Sequence, residues 1–180
     1  MTISELLTKR KASTADGLAI FDQLGPVTLD FMLGRWRGFE IATGHPIEGL
    51  LDCSGWYGKL FEDEEHVHPL LIYSLNKKQL YAINPLLIPL GINFPKIGLL
   101  RIALALLKPI LKTRKAKARI RMIECRGKVT GTMVYDEKGI FDHFAKIDEH
   151  TMFGMMDLKG SEKPYFFVLE HDTAPYRLQL

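Results

Sequence analysis

From residue 34 onward, apolar and polar positions alternate mostly with the period of two expected of strands that bury one face. The clearest stretch interleaves Ala116, Ala118, Ile120 and Met122 with Lys117, Arg119 and Arg121. Four further runs follow: Lys128–Asp136, Ile140–Asp148, Thr151–Leu158 and Tyr165–His171. They are separated by Arg126-Gly127, Asp136-Glu137-Lys138-Gly139, Asp148-Glu149-His150 and the segment Lys159–Pro164. Links this short cannot carry a parallel crossover, so the five runs predict an antiparallel meander. Upstream, Arg35–Ile41, His66–Ser74 and Gln79–Ile83 read as three more strands, the last two joined by the hairpin loop Leu75-Asn76-Lys77-Lys78. About eight strands can close into a barrel wide enough for side chains or one small ligand.

Before residue 34 the period is helical. Thr2 or Ser4 can cap a helix reaching Lys11, a second runs through Leu18–Leu24 to the stop Gly25-Pro26, and a third turn covers Thr28–Leu33. Ile47–Ser54 reads as a short helix. Pro85–Phe94 is apolar but broken by Pro85, Pro89 and Gly91, which predicts an irregular, lid-like loop. Lys96–Lys112 is the strongest helix candidate. Its apolar stretch, Ile97–Leu111, contains Arg101, Lys108 and Pro109 and falls short of the roughly 20 residues of a bilayer span. The expected organisation is one domain over 1–180: a helical segment 1–33, strands in 34–84, a loop and helix insert at 85–113, and the meander 114–180.

Composition agrees with a self-supporting core: 180 residues, 47% hydrophobic and 25% charged. Two cysteines without a Cys-x-x-Cys predict a reducing compartment, and the start lacks the basic-then-apolar order of a secretory leader. A cytoplasmic location is the expectation. The net charge is only +3, yet residues 96–123 carry nine basic side chains and no acid, leaving 15 basic against 21 acidic residues elsewhere. Such a block suits an anionic contact such as a lipid surface or ligand headgroup, or else a solvated face. Nucleic acid is not expected, because aromatic residues are not interleaved with these bases.

Gly34-Arg35-Trp36-Arg37-Gly38 has the form Gly-x-Trp-x-Gly. It is followed by Thr43-Gly44-His45-Pro46, Trp56-Tyr57-Gly58-Lys59, His68-Pro69-Leu70, Tyr135-Asp136, Asp142-His143-Phe144 and Gly154-x-Met156-Asp157. As a set these resemble the bacterial GXWXG family with its companion, domain of unknown function 4334, from about Gly25 to the C-terminus. One departure is Gly139-Ile140, where the family pattern implies Pro-Ile. More distantly, a Gly-x-Trp on a first barrel strand is similar to lipocalins, fatty-acid-binding proteins and nitrobindins. That resemblance implies a calycin- or lipocalin-like barrel with N-terminal helices and one helix inserted between strands. In it Gly34, Trp36 and Gly38 are structural, the tryptophan closing one end.

The favoured reading is a protein that binds a hydrophobic, anionic small molecule, such as a fatty acid or phospholipid. His143, sharing a strand face with Phe141, Ala145 and Ile147, is expected to point inward, and Asp142 outward. Phe141, Met133, Met152 and Phe167 are the expected apolar lining, with Arg114, Lys115 and Arg119 at the headgroup. Peripheral contact with an anionic membrane and a monomeric or homodimeric state accompany this reading. An alternative is an isomerase, hydratase or lyase on an apolar carbonyl compound, with His143 as acid or base and Tyr135 or Glu40 orienting the substrate. Glu40 is expected at the barrel rim. A third reading, implied by the nitrobindin likeness, is a haem barrel with His171 as ligand; no other cofactor is expected. His66 and His68 have a metal-like spacing but no evident third ligand, and no nucleophile motif or phosphate-binding loop is present.

Overall fold

Side-chain oxygens start the N-terminal helices where the helical period begins. Thr2 forms a capping box with Glu5, Ser13 Oγ accepts from the Asp16 N–H at 3.0 Å, and Thr28 Oγ1 accepts from the Phe31 N–H at 3.3 Å. The helices they open are α1 (Ile3–Lys9), α2 (Thr14–Gln23) and α3 (Leu29–Met32). The structure, a computed structural model, describes residues 1–88 and 107–179. The expected lid-like loop and the Lys96–Lys112 helix therefore lie mostly outside the described residues. Within them are a 3₁₀ turn, Pro85–Leu87, and a helical turn, Lys108–Leu111.

The rest is mainly β. The strands are β1 (Gly25–Pro26), β2 (Gly34–Ile41), β3 (Trp56–Phe61), β4 (Val67–Tyr73) and β5 (Gln79–Ala82), with helix α4 (Leu50–Ser54) before β3. The second half supplies β6 (Ala118–Cys125), β7 (Lys128–Tyr135), β8 (Ile140–Lys146), β9 (Thr151–Leu158), β10 (Tyr165–His171) and β11 (Arg177–Gln179). Strands β6 to β10 form the predicted meander. β10 then pairs antiparallel with β2, from Phe166↔Ile41 to His171↔Trp36. The order β4-β3-β2-β10-β9-β8-β7-β6 returns on itself through Val67↔Ala118, supported by Lys117 N–H to Val67 O at 3.0 Å and Ile120 N–H to Glu64 O at 2.9 Å.

Eight strands thus form a ring, as the count predicts, but their membership differs from the expectation. β3 belongs to the ring, whereas β5 lies outside it, between β4 and a parallel partner, β11. The reason is a bulge. Register between β3 and β4 shifts on both sides of Gly58, whose φ is +149°, and a Cβ there would lie 1.9 Å from the Trp36 carbonyl oxygen. Trp56, Lys59 and Phe61 consequently share the interior, a spacing that hides the period of two.

The ring's interior holds Trp36, Trp56, Phe61, Ile120, Met133, Phe144, Met152, Met156, Phe167 and Leu169 in one buried cluster. A second cluster lies outside, where Leu6, Ile20 and Phe21 of α1 and α2 cover Ile41, Ala145, Phe153, Met155, Phe166 and Val168. β8, β9 and β10 are therefore apolar on both faces. Trp36 closes one end: its Nε1 donates to Met32 O of α3 at 2.7 Å, and its ring meets those of Phe31 and His171 at 5.5 and 5.0 Å.

Candidate functional site

β8 enters the ring with Ile140 and Phe144 in the interior cluster and Ala145 in the outer one. Alternation along the strand then directs Asp142 inward and His143 outward. Asp142 faces Lys59 from β3 across the interior. Lys59 Nζ stands 2.8 Å from Asp142 Oδ2, with the two side chains 3% and 1% exposed. Nζ also lies 3.3 Å from the Pro69 carbonyl oxygen, to which it donates. Three aromatic rings surround the ammonium: Phe167 at 5.0 Å, Trp56 at 5.8 Å and Tyr135 at 5.8 Å.

Two glycines position the aromatic walls. A Cβ at Gly38, the second glycine of the Gly-x-Trp-x-Gly pentad, would lie 2.1 Å from the Trp56 ring, and one at Gly154 would lie 2.4 Å from Phe167. Each ring is thus seated directly on backbone. Trp56, Phe167, Phe144 and Phe61 continue as a chain of edge-on contacts about 6 Å apart, at centroid distances of 6.0, 5.9 and 6.0 Å.

Within this apolar surround several polar atoms lack partners. Asp142 Oδ1 has no hydrogen bond among the described residues, and Oδ2 meets the ammonium as a charge contact without good hydrogen-bond alignment. The Trp56 indole N–H and the Tyr165 hydroxyl are likewise buried and unpartnered among the described residues. Orphaned polar atoms are rare in folded proteins, and each costs on the order of 1–3 kcal/mol unless water or a ligand meets it. A buried ion pair is also weak support for stability, since desolvation offsets its attraction. Chemically, the centre offers a charge-neutral pair, one open acceptor and one open donor.

Glu40, also on β2, lies at the end of the ring that α4 covers. The carboxylate expected at the rim is 7% exposed there: its Oε2 accepts from Gly49 N–H at 2.6 Å and its Oε1 from Asp52 N–H at 3.0 Å. Burial raises its pKa, partly offset by those two bonds. The Tyr165 phenol is pushed well up by burial and then by the Glu40 charge, close by but without a hydrogen bond of ordinary geometry. His45 accepts from Ile47 N–H through Nδ1 at 3.3 Å, which leaves Nε2 to donate to Ser161 Oγ at 3.2 Å.

Other expected site residues divide between the two faces. Met133, Met152 and Phe167 line the interior as predicted, and Tyr135 joins them, its phenol pushed up by burial and by Asp142. His143 and Phe141 are corrected to the outer face. His143 Nδ1 lies 2.9 Å from Thr132 Oγ1, burial holds its pKa down, and Phe141 is 40% exposed. The carbonyl-enzyme alternative thereby loses its interior acid or base. Arg119 is also outward and paired with Asp136, at 2.7 Å; Arg114 and Lys115 lie exposed in the turn before β6. Lys117 and Arg121 of the basic block pair with Glu137 and Glu65. His66 pairs with Asp63 and His68 lies near Glu62, and no cluster of three metal-ligating side chains occurs among the described residues. His171 packs edge-on to Trp36 and against Gly34 at the closed end.

Sequence reasoning missed Lys59 and Trp56 as site residues. Their signal was the quartet Trp56-Tyr57-Gly58-Lys59, whose glycine marks the bulge that turns both side chains inward.

Comparison with known proteins gives the architecture a context. Residues 19–76 match the family model described as GXWXG protein, and residues 116–171 match the one described as Domain of unknown function (DUF4334). No curated protein matches the sequence. A solved structure titled "Crystal structure of protein from Thermomonospora curvata" is 30% identical, with a TM-score of 0.69 over 94% of this chain and 95% of that one. With both halves matched in order and a relative alike along nearly its whole length, the chain belongs to the GXWXG family with its companion domain of unknown function.

Proposed function

We propose that the protein binds an apolar small molecule with one polar end inside the ring of strands. The apolar part rests among Met133, Met152, Met156, Phe144 and Phe167, and the polar end meets Asp142 and Trp56 beside the Lys59 ammonium. One observation carries this reading. An ion pair at 1–3% exposure, with an open carboxylate oxygen and an open indole N–H beside it, is set in an otherwise apolar interior. Such a centre adds little to stability and fits the usual chemistry of a ligand pocket, apolar walls with a few convergent polar groups. Methionine suits the walls, because its unbranched thioether adapts to different shapes.

The test is a titration with the neutral fluorophore N-phenylnaphthylamine, followed by competition with long-chain compounds. Saturation at one dye per protein, displaced by those compounds, is the expected result. Met133→Phe, which enlarges an interior side chain, should weaken binding, whereas His143→Ala on the outer face should leave it unchanged. Equal effects of the two substitutions, or no saturable binding, would remove the interior as the site.

A further inference from the structure

The open atoms of the polar centre define what kind of polar end it accepts. Lys59 is already engaged: its ammonium meets Asp142 Oδ2 and Pro69 O, and what remains faces the rings of Phe167, Trp56 and Tyr135. Open positions are the acceptor Asp142 Oδ1 and the donor Trp56 Nε1. Each belongs to a side chain more than nine-tenths buried, Asp142 at 1% and Trp56 at 7%. The two side chains flank the same ammonium, Asp142 through Oδ2 at 2.8 Å and Trp56 through its ring at 5.8 Å. A ligand group that meets both atoms must donate to the carboxylate oxygen and accept from the indole N–H.

From this the geometry points to a neutral polar end that both donates and accepts, an alcohol or a carboxamide, in preference to a carboxylate or phosphate. This departs from the anionic headgroup expected from the sequence, and it rests on the interior binding reading above. A carboxylate has no hydrogen for Asp142 Oδ1 and would set a second negative charge beside it, with one ammonium between them in a water-poor interior. An ammonium could meet Asp142 but would leave the indole N–H unpaired and stand close to Lys59. Only a group with both functions satisfies the two atoms without changing the charge of the buried pair.

Isothermal titration at neutral pH with decanol, decanamide, decanoate and decyl methyl ether separates the cases. These share one apolar chain; the ether keeps an acceptor but lacks a donor, and decanoate carries the charge. Decanol and decanamide should bind at least about tenfold more tightly than the other two, one tenfold step being the worth of about 1.4 kcal/mol. Equal or tighter binding of decanoate or the ether overturns the inference while leaving an apolar cargo in place. Failure of all four to bind overturns both, and means that water alone meets the open atoms.

Asp142→Asn supplies a second arm, because it leaves Lys59 without a counter-charge and should reverse the order in favour of decanoate. If that variant does not fold, Trp56→Phe keeps an aromatic ring but removes the indole donor along with some ring area, and should cost decanol and decanamide at least about tenfold. Unchanged selectivity in folded Asp142→Asn, or undiminished binding of decanol and decanamide by folded Trp56→Phe, counts against the assignment.

Discussion

Removing one partner of the Lys59–Asp142 pair should damage the protein far more than removing both. In Lys59→Met the Asp142 carboxylate remains 1% exposed, with Oδ1 already unpartnered among the described residues and the 2.8 Å contact of Oδ2 gone. A lone buried charge of this kind costs about 3–5 kcal/mol. At a urea m-value of about 2 kcal/mol/M, a loss of about 4 kcal/mol lowers the unfolding midpoint by about 2 M. Asp142→Leu should be comparably harmful, since it strands the ammonium. In the double variant Lys59→Met/Asp142→Leu the two apolar chains fill similar volume and no charge is desolvated, so stability should return to that of the native chain or exceed it by about 1–4 kcal/mol. The assay is equilibrium urea unfolding of all four proteins, with the double-mutant cycle isolating the coupling between the two sites. A double variant as unstable as its worse parent would refute the reasoning, because the pair would then hold the fold together and its functional reading would lose its support.

Further outcomes follow from the surrounding geometry. Gly38→Ala places a Cβ 2.1 Å from the Trp56 ring and should destabilise the protein by about 1–3 kcal/mol, with a shift of Trp56 emission; a neutral effect would show that the ring is not seated there. Trp36→Phe loses the 2.7 Å bond to Met32 O and should lower stability in urea without altering ligand selectivity, as suits a residue closing the far end. Burial holds the Glu40 carboxyl above its ordinary 4.5, so the folded protein keeps a proton that the unfolded chain has released, and stability should fall as pH rises from about 4.5 through the raised value. Glu40→Gln abolishes that titration and should flatten the slope; the same slope in native and variant protein would assign it to another group.

Much of the second half was legible from its pattern alone. Short turns at Arg126-Gly127 and Asp136–Gly139 leave successive strands no option but antiparallel pairing, and β6 to β10 fall within a few residues of their predicted bounds. The cap residues Thr2 and Thr28 act through local hydrogen bonds, which depend only on neighbours in the chain. Met133, Met152 and Phe167, together with Trp36, fall in the interior cluster. The site's centre was not legible. Its two charged members come from strands on opposite sides of the ring, and no local pattern links them.

What the sequence determined by itself is therefore the presence, the order and the antiparallel sense of the five meander strands β6 to β10. All of these follow from periodicity and link length. Which face of each strand looks inward was decided by tertiary packing. On β8 the set Phe141, His143, Ala145 was expected inside, but both faces of this strand carry apolar side chains, with Ala145 in the outer cluster that α1 and α2 join, so hydrophobicity does not distinguish the two sides. A bulge at Gly58 changed the parity of β3, and only the closed ring then brought Lys59 to Asp142. The period of two names two faces; it takes the neighbours packed on each to say which is the interior.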